Sequence, residues 1–239
     1  MSIQKSNSLY LLPCLFLFCF VQYSCQSEAE WRPLFNGKDL SNFKKLNGHA
    51  EYVIEEGSIV GISKSNTPNT FLTTKESFDD FILEFEVWAD PLLNSGVQIR
   101  SISDENILKG QVHGHQVEIE SSPRKWAGGI YDEGRRGWLY SLKDNAEGQN
   151  AFKVDEWNKY RIEAKGNHIK TWVNDVMCAN LIDTISHSGF IGLQVHSISD
   201  SLLENKKIKW RNLKLISDSN SLFTPDDIHS NALLIDLTK

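Results

Sequence analysis

The sequence predicts an all-β chain, and three observations carry that expectation. Apolar and polar residues alternate with a period of two in one short segment after another. Gly, Asn and Asp turns separate those segments. No stretch keeps apolar residues at helical spacing for three turns. Short alternating segments with such turns form antiparallel sheets that close as a sandwich or a barrel.

The chain opens on a segment that does not belong to the fold. Lys5 is its one charge before Glu28, and residues 9–21, LYLLPCLFLFCFV, form an apolar run. At about 1.5 Å per helical residue this run is too short to cross a hydrocarbon layer. It fits the apolar centre of a secretory signal. Ser24 then precedes Cys25 and an acidic stretch, as in a bacterial lipoprotein signal. Residues 1–24 are therefore expected to be removed and Cys25 lipidated, with 25–30 as a linker. The membrane would be met through that lipid alone. Gln22 stands where such signals favour an aliphatic residue, so secretion without a lipid is the alternative. The expected location is the cell envelope, as an outer-membrane or periplasmic lipoprotein. Of four cysteines only Cys178 remains in the folded part, so no internal disulfide supports it. The net charge of −6 offers no basic face for a nucleic acid.

The strands follow in order. YVIEEGSIVGI (52–62) is two apolar runs split by Glu56-Gly57, a hairpin signal. In FILEFEVWA (81–89), Phe81, Leu83, Phe85 and Val87 share one side. In YRIEAKGNHIKTWVND (160–175), Tyr160, Ile162 and Ala164 alternate with charges, Gly166-Asn167 turns the chain, and Ile169, Thr171 and Val173 return. FIGLQVHS (190–197) and KIKWRNLKLI (207–216) complete the set. After 216 the pattern stops, and 217–239 reads as a polar linker with a short apolar end, draped on the domain or loose.

Three strands carry an unusual polar face. Gln98 and Arg100 follow Gly96 at a spacing of two. Gln116, Glu118 and Glu120 do the same, as do Gln194 and His196 after Gly192. An ordinary wet face favours Lys, Thr and Ser. Amides, carboxylates and an imidazole interleaved with core-facing Val, Ile and Leu suit the reading of hydroxyls and carbonyls. Beside these strands, RKWAGGIYDEGRRGWLY (124–140) brings Trp126, Tyr131 and Trp138. Flat aromatic rings next to amides suit a sugar, whose C–H face stacks while its hydroxyls hydrogen-bond.

LFNGKDLSNF, NSGVQIRS, HQVEIESSPRKWAGGIYDEGRRGWLY, EWNKYRIEAKGNHIKTWVND, GFIGLQVHS and KWRNLKLI occur in this order. Together they resemble the bacterial 3-keto-disaccharide hydrolase domain family over residues 31–216. The resemblance implies a concanavalin-like jelly-roll β-sandwich of two antiparallel sheets. It also implies cleavage of glycosides already oxidised at C3. A C3 ketone acidifies the C2 proton. A base can remove that proton, the C1 substituent then leaves, and water adds later.

On this reading Glu118 is the base, Arg100 polarises the ketone, and His196 is the acid or positions water. Gln98, Gln116, Glu120 and Gln194 bind hydroxyls, and Trp126, Tyr131 and Trp138 stack. A sugar 3-dehydrogenase would be the functional partner. The alternative is a carbohydrate-binding module using the same face without a base. No cofactor is certain. The residues carry no Cys or His spacing for structural zinc, and a Ca²⁺ on loop oxygens stays open.

Overall fold

The computed structural model describes residues 30–217, Phe223, Thr224 and the backbone at 233–234. The expected signal, Cys25 and most of the tail lie outside the described residues. Among the described residues no helix is long and apolar enough to cross a membrane.

The chain runs through β1 (Arg32–Pro33), β2 (Phe43–Asn47), β3 (Glu51–Glu55), β4 (Ser58–Ile62) and β5 (Thr70–Thr74). β6 (Phe81–Ala89), β7 (Asn94–Ile102) and β8 (His113–Glu120) follow, then the hairpin β9 (Ile130–Glu133) and β10 (Gly137–Tyr140). A single helical turn, α1 (Ala146–Gln149), leads to β11 (Asn158–Lys165), β12 (His168–Val173) and β13 (Val176–Ile182). β14 (Phe190–Val195), β15 (Lys207–Ser217) and β16 (Leu233–Leu234) end the set.

These strands form two sheets. One has the order β16-β13-β12-β11-β6-β15-β4-β3, with β1 also on β15, and the other β10-β9-β8-β7-β14-β5-β2. All pairings are antiparallel except β13 with β16. The expected hairpin turn at Glu56-Gly57 joins β3 to β4, with both residues at positive φ of 48° and 74°. That is the handedness a two-residue hairpin needs.

The core lies between the sheets, on the sides that alternation marked as apolar. Phe81, Leu83, Phe85 and Val87 of β6 meet Tyr160, Ile162 and Ala164 of β11 there. Phe85 stacks on Tyr160 with ring centroids 5.1 Å apart. Val97 and Ile99 of β7, Val117 and Ile119 of β8, and Ile191, Leu193 and Val195 of β14 close it from the other sheet. Each such burial contributes about 1.5–3 kcal/mol. Side chains at the alternate positions of the seven-stranded sheet therefore face away from the core.

That outward face is a trough. Glu133, at the end of β9, accepts a hydrogen bond from Asn69, which precedes β5. β8, β7 and β14 lie between those two strands. In a flat sheet four strand spacings would separate them by about 19 Å, so the sheet curls around its outward face.

Candidate active site

The face is built from β7, β8 and β14 in register. Gln98 pairs with Gln116 and Gly96 with Glu118, while Gly192 pairs with Gln98. The alternating Gln and Glu side chains thus point to one side, as strand geometry requires. They form a directed chain of hydrogen bonds. Ser101 Oγ donates to Gln98 Oε1 at 2.7 Å. Gln98 Nε2 donates to Gln116 Oε1 at 2.7 Å. Gln116 Nε2 donates to Glu118 Oε2 at 3.2 Å. Gly96 makes the crossing of Gln116 possible, because a Cβ there would lie 2.4 Å from the Gln116 amide carbon.

Glu118 ends that chain. Its Oε1 accepts from Asn94 Nδ2 at 2.6 Å and faces Arg124 Nη2 at 3.3 Å. The residue is 3% exposed. Burial pushes the carboxyl up to about 7, although the Asn94 and Gln116 hydrogen bonds lower it. The nearby Glu120 charge adds to the rise and Arg124 opposes it. Desolvation is the governing effect, as in other carboxyls held dry without a close bidentate cation.

Glu120 is a different kind of group. Its two oxygens accept from Arg124, from Ser122 Oγ at 2.8 Å and from the Trp126 amide at 2.7 Å. A carboxylate so fully occupied fixes the 121–126 loop. Arg124 is held over Glu118 by it. The guanidinium carbon also sits 5.0 Å from the Trp126 ring and 4.6 Å from the Trp138 ring. Trp138 meets Trp126 and Tyr131 edge-on, at 4.8 and 5.4 Å. The three expected aromatics are therefore one ledge beside Glu118, half-buried and carried by the β9–β10 hairpin and the loop before it.

Gln194 faces the same trough, because its neighbours Leu193 and Val195 point to the core. It is 0% exposed, and neither Nε2 nor Oε1 has a hydrogen-bond partner. An unpaired buried amide costs about 1–3 kcal/mol.

Two expected site residues lie elsewhere. Arg100 sits at φ 47°, where the register of β7 on β8 shifts between Ile99 and Ile102. The extra residue of this bulge breaks the alternation, so Ser101 takes the place beside Gln98. Arg100 instead donates to the carbonyls of Asp79 and Gly166 and pairs with Asp80 at 2.9 Å. It ties β7 to the other sheet and does not reach Glu118; the cation there is Arg124. His196 follows the end of β14, with Nδ1 2.7 Å from Ser197 O. It stands near Glu133, not in contact with Glu118. Glu133, Asn69, Asn94, Ser101 and Arg124 all line the trough without having stood out in the sequence. Among the described residues no group of three or more His, Cys, Asp and Glu side chains could hold a metal ion.

The sequence profile of the 3-keto-alpha-glucoside-1,2-lyase-like domain matches residues 30–216. The chain belongs to this family. No curated protein matches it. Among solved structures, a Parabacteroides distasonis protein described as a candidate glycosyl hydrolase aligns with a TM-score of 0.56. It is 17% identical and covers 79% of this chain and 94% of its own. A second such protein from the same organism gives 0.55 at 22% identity, over 79% and 99%. The carbohydrate-binding module CBM66 from Bacillus subtilis gives 0.52 at 16%, over 74% and 96%. At these identities the likeness shows the fold shared by this family member, an antiparallel β-sandwich.

Proposed function

We propose that this protein acts on carbohydrates as a lyase-type glycoside-cleaving enzyme whose substrates carry a ketone at C3. Glu118 is the general base. A carboxyl with a pKa near 7 is part-ionised at neutral pH yet far more basic than a free glutamate, which is the balance a general base needs. That raised, Asn94- and Gln116-oriented carboxyl is the observation that carries the reading. A module that only binds sugar gains nothing from a destabilised carboxyl. The family description, with its 1,2-lyase chemistry, supports the same reaction class.

Glu118 takes the C2 proton, and the electron pair of that bond passes into the enolate of the C3 ketone. Arg124 supplies positive charge beside it. Preorganised donors of this kind stabilise the charge as it forms. The enolate then expels the C1 oxygen, leaving a C1=C2 double bond to which water adds. Trp126, Trp138 and Tyr131 stack against the sugar. Cys25 as a lipid anchor, an envelope location and a sugar 3-dehydrogenase as supplier of the ketone belong to the same proposal.

The test is isotope exchange and turnover. Run in heavy water, the protein should wash deuterium into C2 of recovered 3-keto-trehalose or 3-keto-lactose, seen by mass spectrometry. Glu118→Gln should abolish the exchange and lower turnover by about 100-fold or more. Near-normal turnover in Glu118→Gln would remove Glu118 as the base.

A further inference from the structure

Glu118 is one end of a hydrogen-bond chain whose other end is Ser101, and the chain holds only if both amides in it point the same way. Glu118 Oε2 accepts from Gln116 Nε2, so Gln116 Oε1 faces back and accepts from Gln98 Nε2. Gln98 Oε1 is thereby turned toward Ser101, whose Oγ donates to it at 2.7 Å. An amide has nearly the same shape with its nitrogen and oxygen exchanged. Gln116 turned around would set an oxygen against the Glu118 carboxylate. The far end of the chain must therefore favour an amide oxygen over an amide nitrogen.

Apart from the Ser101 hydroxyl, that end is a place of acceptors. The Ile99 and His115 carbonyl oxygens lie 3.1 and 3.3 Å from Ser101 Oγ. With no hydroxyl there, these carbonyls draw the Gln98 nitrogen toward them and reverse both amides. The Ser101 proton is what lets Gln98 turn its oxygen inward. Ser101 owes its place to the register shift between Ile99 and Ile102. Strict alternation would have brought Arg100 there, and a bulge beside a site commonly re-aims a side chain in this way. Gly114 leaves the room, since a Cβ on it would lie 2.4 Å from Ser101 Oγ. Ser101 and Gln98 are both 0% exposed, so neither touches a sugar.

We propose that Ser101 and Gln98 are positioning residues for the base: they fix the direction of the Gln116 amide, so that the ionised Glu118 carboxylate always faces an N–H. The proposal rests on the elimination reading above. It moves Gln98 from binding hydroxyls to acting through Gln116. A hydrogen bond to the ionised form favours that form, so reversing or loosening the chain makes Glu118 harder to ionise. The charged groups that face Glu118 are Glu120 on its own strand and Arg124 from the loop that follows. Asn94 of β7 is neutral. Tyr160 of β11 donates to the Glu118 carbonyl at 3.1 Å, and burial keeps its hydroxyl protonated. Substitutions at Gln98 and Ser101 leave all four of these groups in place.

The experiment follows the Glu118 carboxyl directly and through the rate, in Gln98→Met and Ser101→Ala of the full chain. The carboxyl is titrated without substrate by carbon-13 NMR of glutamate-labelled protein, its signal identified by its loss in Glu118→Gln. Both variants should raise the midpoint by about one pH unit, a tenfold change in the ionisation equilibrium. The rising limb of kcat/KM on 3-keto-trehalose should move up by the same amount. The rate should then be about tenfold lower below pH 6, with the gap to wild type closing as pH rises. Ser101→Ala deletes a single oxygen and decides the matter if Gln98→Met does not fold. An unmoved midpoint in a folded variant overturns the proposal. So does a loss of rate that is equal at every pH, the mark of a residue that binds substrate or only packs. A midpoint that moves while the rate does not follow supports the positioning role and rejects Glu118 as the base. Wild-type protein without C2 deuterium exchange rejects the elimination reading itself, and the substrate-free titration still decides the positioning role, so the two failures are distinguishable.

Discussion

At Glu118 the feature that serves chemistry works against stability. Its carboxyl titrates near 7 in the folded chain and near 4.3 when unfolded. Between those values the folded state holds the extra proton, so stability declines as pH rises through that window. Glu118→Gln removes the titration. Its melting temperature should therefore exceed that of the wild type above pH 7, by the equivalent of about 3–4 kcal/mol, and the two should converge near pH 4. Thermal scans across pH 4–8 check this. A variant less stable than wild type at pH 8 would mean that burial does not govern the carboxyl. Activity should move the other way, with kcat/KM rising through pH 7 as Glu118 ionises.

At the scale of elements, β7 explains both what was legible in the sequence and what was not. Strict alternation from Asn94 to Ile99 placed Gln98 on the outward face, and the same rule on β8 and β14 placed Gln116, Glu118 and Gln194. The rule fails at Arg100, because a bulge inserts one residue there. Nothing in NSGVQIRS signals it: the αL residue is an arginine, not a glycine, asparagine or aspartate. Arg124 and Glu133 were hidden for another reason. They sit on a hairpin and loop whose meeting with the face depends on how far the sheet curls, a quantity no local pattern encodes. Arg100 is then a structural cation, 1% exposed and bonded to two carbonyls and Asp80. Arg100→Ala should cost on the order of 3 kcal/mol in urea unfolding, while kcat per folded molecule stays near wild type. A selective loss of kcat with full stability would return Arg100 to the chemistry.

For the whole molecule, the site depends on how firmly one end of the sandwich is closed. Asp132 lies on β9 between Tyr131 and Glu133, so while those two face the trough it turns inward. There it pairs with Arg135 and Arg136, and Arg136 also pairs with Asp183, from the segment between β13 and β14. His115 Nε2 lies 2.6 Å from Asp183 Oδ2, and both side chains are fully buried. This network pins the β9–β10 hairpin, and hence the aromatic ledge and Glu133, to the rest of the sandwich. The His115 and Arg136 contacts outweigh desolvation and hold the Asp183 carboxyl well below the usual range. A carboxylate lowered in the folded state stabilises above its unfolded pKa, and that contribution fades as pH falls below about 4. Asp183→Ala should therefore cost about 3 kcal/mol at pH 7, with the gap to wild type narrowing on acidification. Because the hairpin carries the ledge, the variant should also raise KM for a keto-glycoside more than it lowers kcat. Urea titrations at pH 7 and pH 3, with kinetics at pH 7, measure both. A gap independent of pH would show that packing, not charge, holds this end closed, and an unchanged KM would uncouple the ledge from it.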